Sequence, residues 1–216
     1  MMKKVKQAKV RTTYRHGNLK QALLDAALEM ARQQGPEGVV LREATRHAGV
    51  AYSAAYRHYE NQKALLDAVR VASLQKVAQM MKAELAALGA PANTVEYARQ
   101  SLGAIGRGYL RFARFEPGLF RTAFVLPFEM KEGEDGSANE DAEQNPFQLL
   151  SMALDRMQEA CLIDQNNRSQ AEFLAWSAVH GMAMLILDGP LQAYSDEQLE
   201  NLSERLLLMV ERGLQA

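Results

Sequence analysis

Tyr52, Ser53, Tyr56, Arg57, His58 and Lys63 gather phenol, hydroxyl, guanidinium, imidazole and ammonium groups into twelve residues. Hydrogen-bond donors at this density suit contact with phosphate oxygens and the edges of bases. The surrounding stretch, LREATRHAGVAYSAAYRHYENQKAL from Leu41 to Leu65, supplies a frame for them. It has the pattern of a helix, a tight turn at Ala48-Gly49-Val50, and a second short helix. That is a helix-turn-helix, in which one helix braces the duplex backbone and the next enters the major groove. Gly49 sits where the turn needs a left-handed backbone, which glycine adopts without steric cost. Tyr56, His58 and Lys63 are expected on phosphates, Lys63 aided by the dipole at the start of the following helix. Base reading falls to Tyr52 and Ser53, with Arg42 or Thr45 on the preceding helix, and Arg57 is exposed beside them.

Charge agrees with that placement. Of 216 residues with a formal net charge of -1, the first 76 carry fourteen basic and six acidic side chains, a net of +8. The remainder carries eleven against twenty, or -9. Only the first third is therefore expected to meet a polyanion. Residues 1–14 form a basic arm that can reach adjacent phosphates or the minor groove. Cys161, the single cysteine, excludes an internal disulfide and is expected to be a buried small hydrophobe on a helix. MMKKVKQAKVR has no apolar segment of the secretory type, and no apolar run approaches the roughly 20 residues of a membrane span. A cytoplasmic protein is expected. No nucleophile elbow, phosphate-binding glycine loop or zinc-type Cys/His spacing occurs, so no enzyme, metal or cofactor is expected. His47 is expected at the surface, not as a ligand.

Apolar spacing is helical almost throughout, without strand alternation or repeats. The fold class expected is all-α with about nine helices. Asn18 and Gln21 can box a first helix, which Gly35-Pro36 stops. Residues 41–48 and 52–58 form the two short helices. A long helix runs from Gln62 to about Leu88, and the next continues to about Phe115. Leu119 to Leu126 is short. Glu129 to Glu143 carries seven acids and reads as an exposed connector. Helix resumes at Pro146, a residue suited to a first turn. Ser169 with Glu172, and Ser195 with Gln198, can box the last two helices.

LREATRHAGVAYSAAYRHYENQKALLDAV is similar to the N-terminal signature of the TetR family of transcriptional repressors. The shared features are the Ala-Gly-Val turn, the Tyr-Arg-His-aromatic run and the Lys followed by Leu-Leu. GYLRFARFEPGLFRTAF and AWSAVHGMAMLILDG resemble a common type of TetR ligand-binding domain, with a Trp-x-x-x-His-Gly element on the penultimate helix. The resemblance runs from about Tyr14 to the end. It implies a helix-turn-helix domain over residues 15–61 and a ligand-binding and dimerisation domain over 62–216. Two positions depart from the pattern. Ala51 stands where Ser or Thr usually caps the recognition helix, at a typical cost of about 1 kcal/mol. Ala55 stands where a bulky apolar side chain is usual.

The penultimate helix is apolar nearly all round, so it needs cover on more than one side. A partner subunit is expected there, with the last helix beside it, giving a homodimer through the last two helices. The family resemblance implies the same four-helix interface. A two-fold dimer would set its reading heads about 34–36 Å apart on a palindromic double-stranded DNA operator. Aromatic and sulfur side chains concentrate in the middle helices. The family resemblance implies that some of Tyr109, Phe112, Phe120, Phe124, Met152, Trp176 and His180 line a ligand cavity; periodic aromatics also serve as plain core. The function expected is a sequence-specific regulator, a repressor released by a small hydrophobic or aromatic effector. The alternative is a DNA-bound adaptor governed by a protein partner, with a filled core around Trp176.

Overall fold

The structure, a computed structural model, describes residues 19–89, 93–125 and 144–215. The basic arm, the cap at Asn18, Phe128 and the acidic stretch 129–143 lie outside the described residues. Those described contain ten α-helices and no strand: α1 Leu19–Gln34, α2 Leu41–His47, α3 Tyr52–Ala55, α4 Gln62–Ala87, α5 Thr94–Phe115, α6 Pro117–Ala123, α7 Pro146–Glu159, α8 Gln165–Arg168, α9 Ala171–Asp188 and α10 Asp196–Gln215.

Local chemistry sets the boundaries. Asn61 caps α4 by accepting from the Ala64 amide, and Asn93 caps α5 the same way. Asn145 and Gln148 form a full capping box ahead of Pro146. Ser195 and Gln198 form the box expected before α10, each side chain bonding the other's amide. The box expected from Ser169 and Glu172 does not form. Gln170 turns left-handed at φ 61° and starts α9 without a side-chain cap. Glu172 instead accepts from Ser151 at 2.8 Å and pairs with Arg168 at 2.7 Å, tying α9 to α7 and α8. The short α8, absent from the sequence reading, is capped by Asp164.

Cys161 also departs from expectation. The helix α7 stops at Glu159, and Cys161 takes the left-handed position behind it at φ 55°, exposed. Its amide bonds to Gln158 and that of Leu162 to Met157, which closes the helix end in the manner usually given to glycine.

The helices share one core. Leu23, Ala27 and Ala31 of α1 meet Leu65 and Val69 of α4, and the core continues through Met81, Tyr109 and Leu154 to Val179 and Leu207. Two glycines set close approaches. A Cβ on Gly108 would lie 2.5 Å from the Met81 Cα, so α5 touches the backbone of α4. A Cβ on Gly118 would lie 2.3 Å from the Ala31 carbonyl oxygen, so α6 abuts the end of α1. Arg32 bonds Glu116 at 2.8 Å across the same junction. The α9 helix has 18 residues and a mean hydropathy of 1.2, enough in length and composition to cross a membrane, contrary to the reading that no such run exists. It packs instead against α5, α7 and α10, with a residual apolar face formed by Phe173, Leu174, Met184 and Leu185.

Candidate nucleic-acid interface and interior cavity

The turn between α2 and α3 is closed as its sequence requires. Gly49 has φ 68°, its amide bonds to Arg46, and the Val50 amide reaches Thr45. This double closure satisfies the last carbonyls of α2 and fixes where α3 begins. Ala51 provides no side-chain cap, and α3 lasts only four residues. The chain then turns, with the amides of His58 and Tyr59 both on the Ala55 carbonyl. The second helix is therefore shorter than the 52–58 expected from pattern.

Packing sorts the candidate residues. Ala55 and Tyr59 are buried, and the Tyr59 hydroxyl donates to the Lys20 carbonyl, anchoring the segment to α1. With those two inward, Tyr52, Ser53, Tyr56, Arg57 and His58 are exposed, as are Arg42 on α2 and Lys63 on α4. Thr45 is the exception. It is only 3% exposed, and its hydroxyl donates to the Arg42 carbonyl at 2.6 Å. It packs the motif rather than facing outward. Tyr52 and Tyr56 stand edge to face with ring centres 4.9 Å apart and hydroxyls 2.8 Å apart. That bond to Tyr52 raises the pKa of the Tyr56 phenol, which stays protonated. Lys63 pairs with Asp67 at 3.1 Å on the open surface, a contact weak enough to exchange for a phosphate. Pattern alone gave no signal for Tyr59 as an anchor, because an aromatic beside five exposed polar groups reads as one of them.

A second site lies inside the molecule. A cavity of about 40 Å³ is walled by α5 at Leu102, Ile105 and Tyr109 and by α9 at Ala175, Trp176 and Val179. Phe124 closes one side, Phe147 and Leu150 of α7 another, and Leu207 and Val210 of α10 a third. The α4 helix contributes Met81. Three of the seven candidates from sequence, Tyr109, Phe124 and Trp176, are on this wall. Phe112 and Phe120 are buried core residues away from it, and Met152 faces outward at 37% exposure. His180 stands behind the wall. Its ring stacks on Phe120 with centres 5.9 Å apart and meets Phe124 and Trp176 edge-on. Met81, Phe147, Leu150, Leu207 and Val210 were not picked out, since an apolar residue at core spacing looks the same whether it faces packing or a void.

Polar groups on the wall form a chain. The Trp176 Nε1–H donates to the Tyr109 oxygen at 3.0 Å, and that oxygen lies 2.8 Å from His180 Nδ1. Burial pushes the Tyr109 phenol far above its ordinary range, only partly offset by the Trp176 bond, so it stays neutral. Burial also lowers the His180 pKa, keeping the imidazole neutral. A neutral ring accepting at Nδ1 takes the Tyr109 proton; the other tautomer would leave that buried proton unbonded.

The chain matches two family models. Residues 23–69 match the bacterial regulatory proteins of the tetR family, and residues 102–210 match the tetracyclin repressor-like C-terminal domain. A search of curated proteins gave no match. Among solved structures, a Rhodococcus sp. RHA1 protein of unknown function is similar with 23% identity and a TM-score of 0.71, covering 95% of this chain and 100% of its own. One from Shewanella sp. PV-4, described as a tetR family transcription regulator, shares 19% identity at a TM-score of 0.56, covering 87% and 95%. A TetR family transcriptional regulator structure from Vibrio parahaemolyticus shares 17% at 0.54, with the same coverage. These likenesses bear on the fold. The two family matches together span both the turn around Gly49 and the helices around the cavity, and the chain belongs to the tetR family of bacterial regulatory proteins.

Proposed function

We propose that this DNA-binding regulator is a cytoplasmic homodimeric repressor that leaves a palindromic operator when a small lipophilic effector fills the cavity. Residues 15–61 form the reading head, and 62–216 form the sensing and dimerising body. Arg42, Tyr52 and Ser53 read base edges; Tyr56, Arg57, His58 and Lys63 hold phosphates. Thr45 holds the motif together from inside.

The observation that carries the reading is α4 itself. One 26-residue helix bears Lys63 at its first turn and Met81 in the cavity wall. Eighteen residues at 1.5 Å each separate them by about 27 Å. A ligand that displaces Met81 moves a rigid rod whose far end carries a phosphate contact. It shifts the equilibrium only by its differential affinity for the two positions of that rod. An open cavity beside Trp176 favours this sensor over an adaptor governed by a protein partner, which needs no void.

Dimerisation is supported by the residual face of α9. Leu174, Ser177, Gly181 and Leu185 recur at helical spacing and are exposed, and a Cβ on Gly181 would meet nothing within 4 Å. Leu208 and Met209 of α10 are exposed beside them. Small residues flanked by leucines let two helices approach closely.

Salt titration of binding to a duplex tests the head. The logarithm of affinity should fall steeply and linearly with the logarithm of salt concentration, as released counterions require. A flat line would refute phosphate contact by these residues.

A further inference from the structure

We infer that the cavity selects an uncharged lipophile and rejects anions, because its polar groups are bonded to one another. The inference rests on the cavity being the effector site. Among the described wall residues only Tyr109 and Trp176 carry a side-chain nitrogen or oxygen. The Trp176 N–H is given to the Tyr109 oxygen, and the Tyr109 proton to His180. The chain ends on the half-buried His180 ring, which packs against Phe120, Phe124 and Trp176. What remains for a ligand is a lone pair on the Tyr109 oxygen, an acceptor and not a donor.

No described wall residue is charged. The arginines of α5 are engaged elsewhere: Arg99 pairs with Glu211 at 3.7 Å, Arg107 with Glu204 at 3.1 Å, Arg111 with Glu84 and Glu200, and Arg114 with Asp196. Arg121 of α6 is held by Asp188 at 2.6 Å. A carboxylate or phosphate entering this space would shed water and find neither a cation nor an unengaged N–H among the described wall residues. A hydrocarbon body carrying at most one donor, such as an alcohol or a secondary arylamine, fits both the walls and the lone pair. Tyr109 acts as the specificity-determining residue by occupying the Trp176 N–H and the His180 Nδ1.

The test uses the full-length protein and N-phenyl-1-naphthylamine, a neutral arylamine probe. Trp176 is the chain's only tryptophan, so energy transfer from it to the probe reports occupancy of the cavity. Decan-1-ol and decanoate at pH 8 are then compared as displacers. Decan-1-ol should displace the probe at a concentration at least tenfold below that of decanoate. In Tyr109→Phe, the Trp176 N–H no longer gives its bond to a phenol oxygen, and a shift of the imidazole proton from Nε2 to Nδ1 makes His180 a donor toward the carboxylate. The ratio should narrow severalfold, and a cooperative thermal unfolding transition shows that the variant is folded. Equal displacement by the two in the native protein overturns the selectivity while leaving the cavity as effector site. An unchanged ratio in Tyr109→Phe overturns the role of the chain. Absence of energy transfer overturns the proposal together with the sensor reading, and leaves DNA binding standing.

Discussion

Tyr109 is the most consequential single side chain in the body, because Trp176 and His180 both bond to its hydroxyl. Its removal in Tyr109→Phe leaves the Trp176 N–H and His180 Nδ1 without that partner. A loss of about 1–3 kcal/mol in unfolding free energy is expected from such unsatisfied groups, measured by thermal or denaturant unfolding. An unchanged stability would mean that the bonds are compensated. His180 adds a pH dependence whose sign is fixed by its lowered pKa. Below its ordinary value of 6.5 the unfolded chain takes up a proton that the folded chain resists. Stability should therefore be level above pH 6.5 and decline as pH falls from there through the folded value. His180→Gln should flatten that decline in the same unfolding series. In the head, Lys63 is the residue whose role is read most simply. Lys63→Ala should weaken binding to all sequences alike and reduce the salt slope by about one.

At the scale of elements, the short α3 is the soft point of the motif. Ala51 leaves it uncapped, and four residues of helix cannot offset that alone. Ala51→Ser should restore a cap worth about 1 kcal/mol. It should raise DNA affinity severalfold if the operator-bound state requires an ordered α3; an unchanged affinity would mean that α3 is already fully formed when bound. Helix boundaries were legible wherever a side chain dictated them, at Pro146, at Ser195 with Gln198 and at Gly49. They were illegible where tertiary contacts overrode local preference. Glu172 looks like a capping partner in sequence, yet Arg168 and Ser151 draw it across to α7. Burial pushes its carboxyl up, but those bonds outweigh it and hold the pKa below the ordinary value. Cys161 kept the helical spacing of its predecessors and still fell beyond the helix end, since the spacing of apolar residues does not mark a left-handed cap.

Across the whole molecule, the head meets the body at two places. One is the continuous rod of α4. The other is the α1–α6 junction, where Gly118 lies against the Ala31 and Arg32 backbone and Arg32 bonds Glu116. Phe124, at the end of α6, is also part of the cavity wall. Both routes from cavity to head therefore begin at a residue of the cavity wall, Met81 on one and Phe124 on the other. The helical class and the exposed donor ridge were legible in sequence because each follows from residue type and spacing. The cavity wall was less so: Tyr109, Phe124 and Trp176 stand on it, but Phe112 and Phe120 fill core, and Met152 faces solvent. Which aromatic borders a void depends on packing between helices far apart in the chain, and Met81 and Leu207 carry no mark of it.

In the proposed function, two such heads, joined through α9 and α10, hold neighbouring major grooves. Selection of bound sequences from a randomised duplex library by the purified full-length protein tests it most directly. Enrichment of an inverted repeat whose half-sites are centred one helical turn apart, about 34–36 Å, is expected. Recovery of a lone half-site, or of no preferred sequence at all, would contradict it.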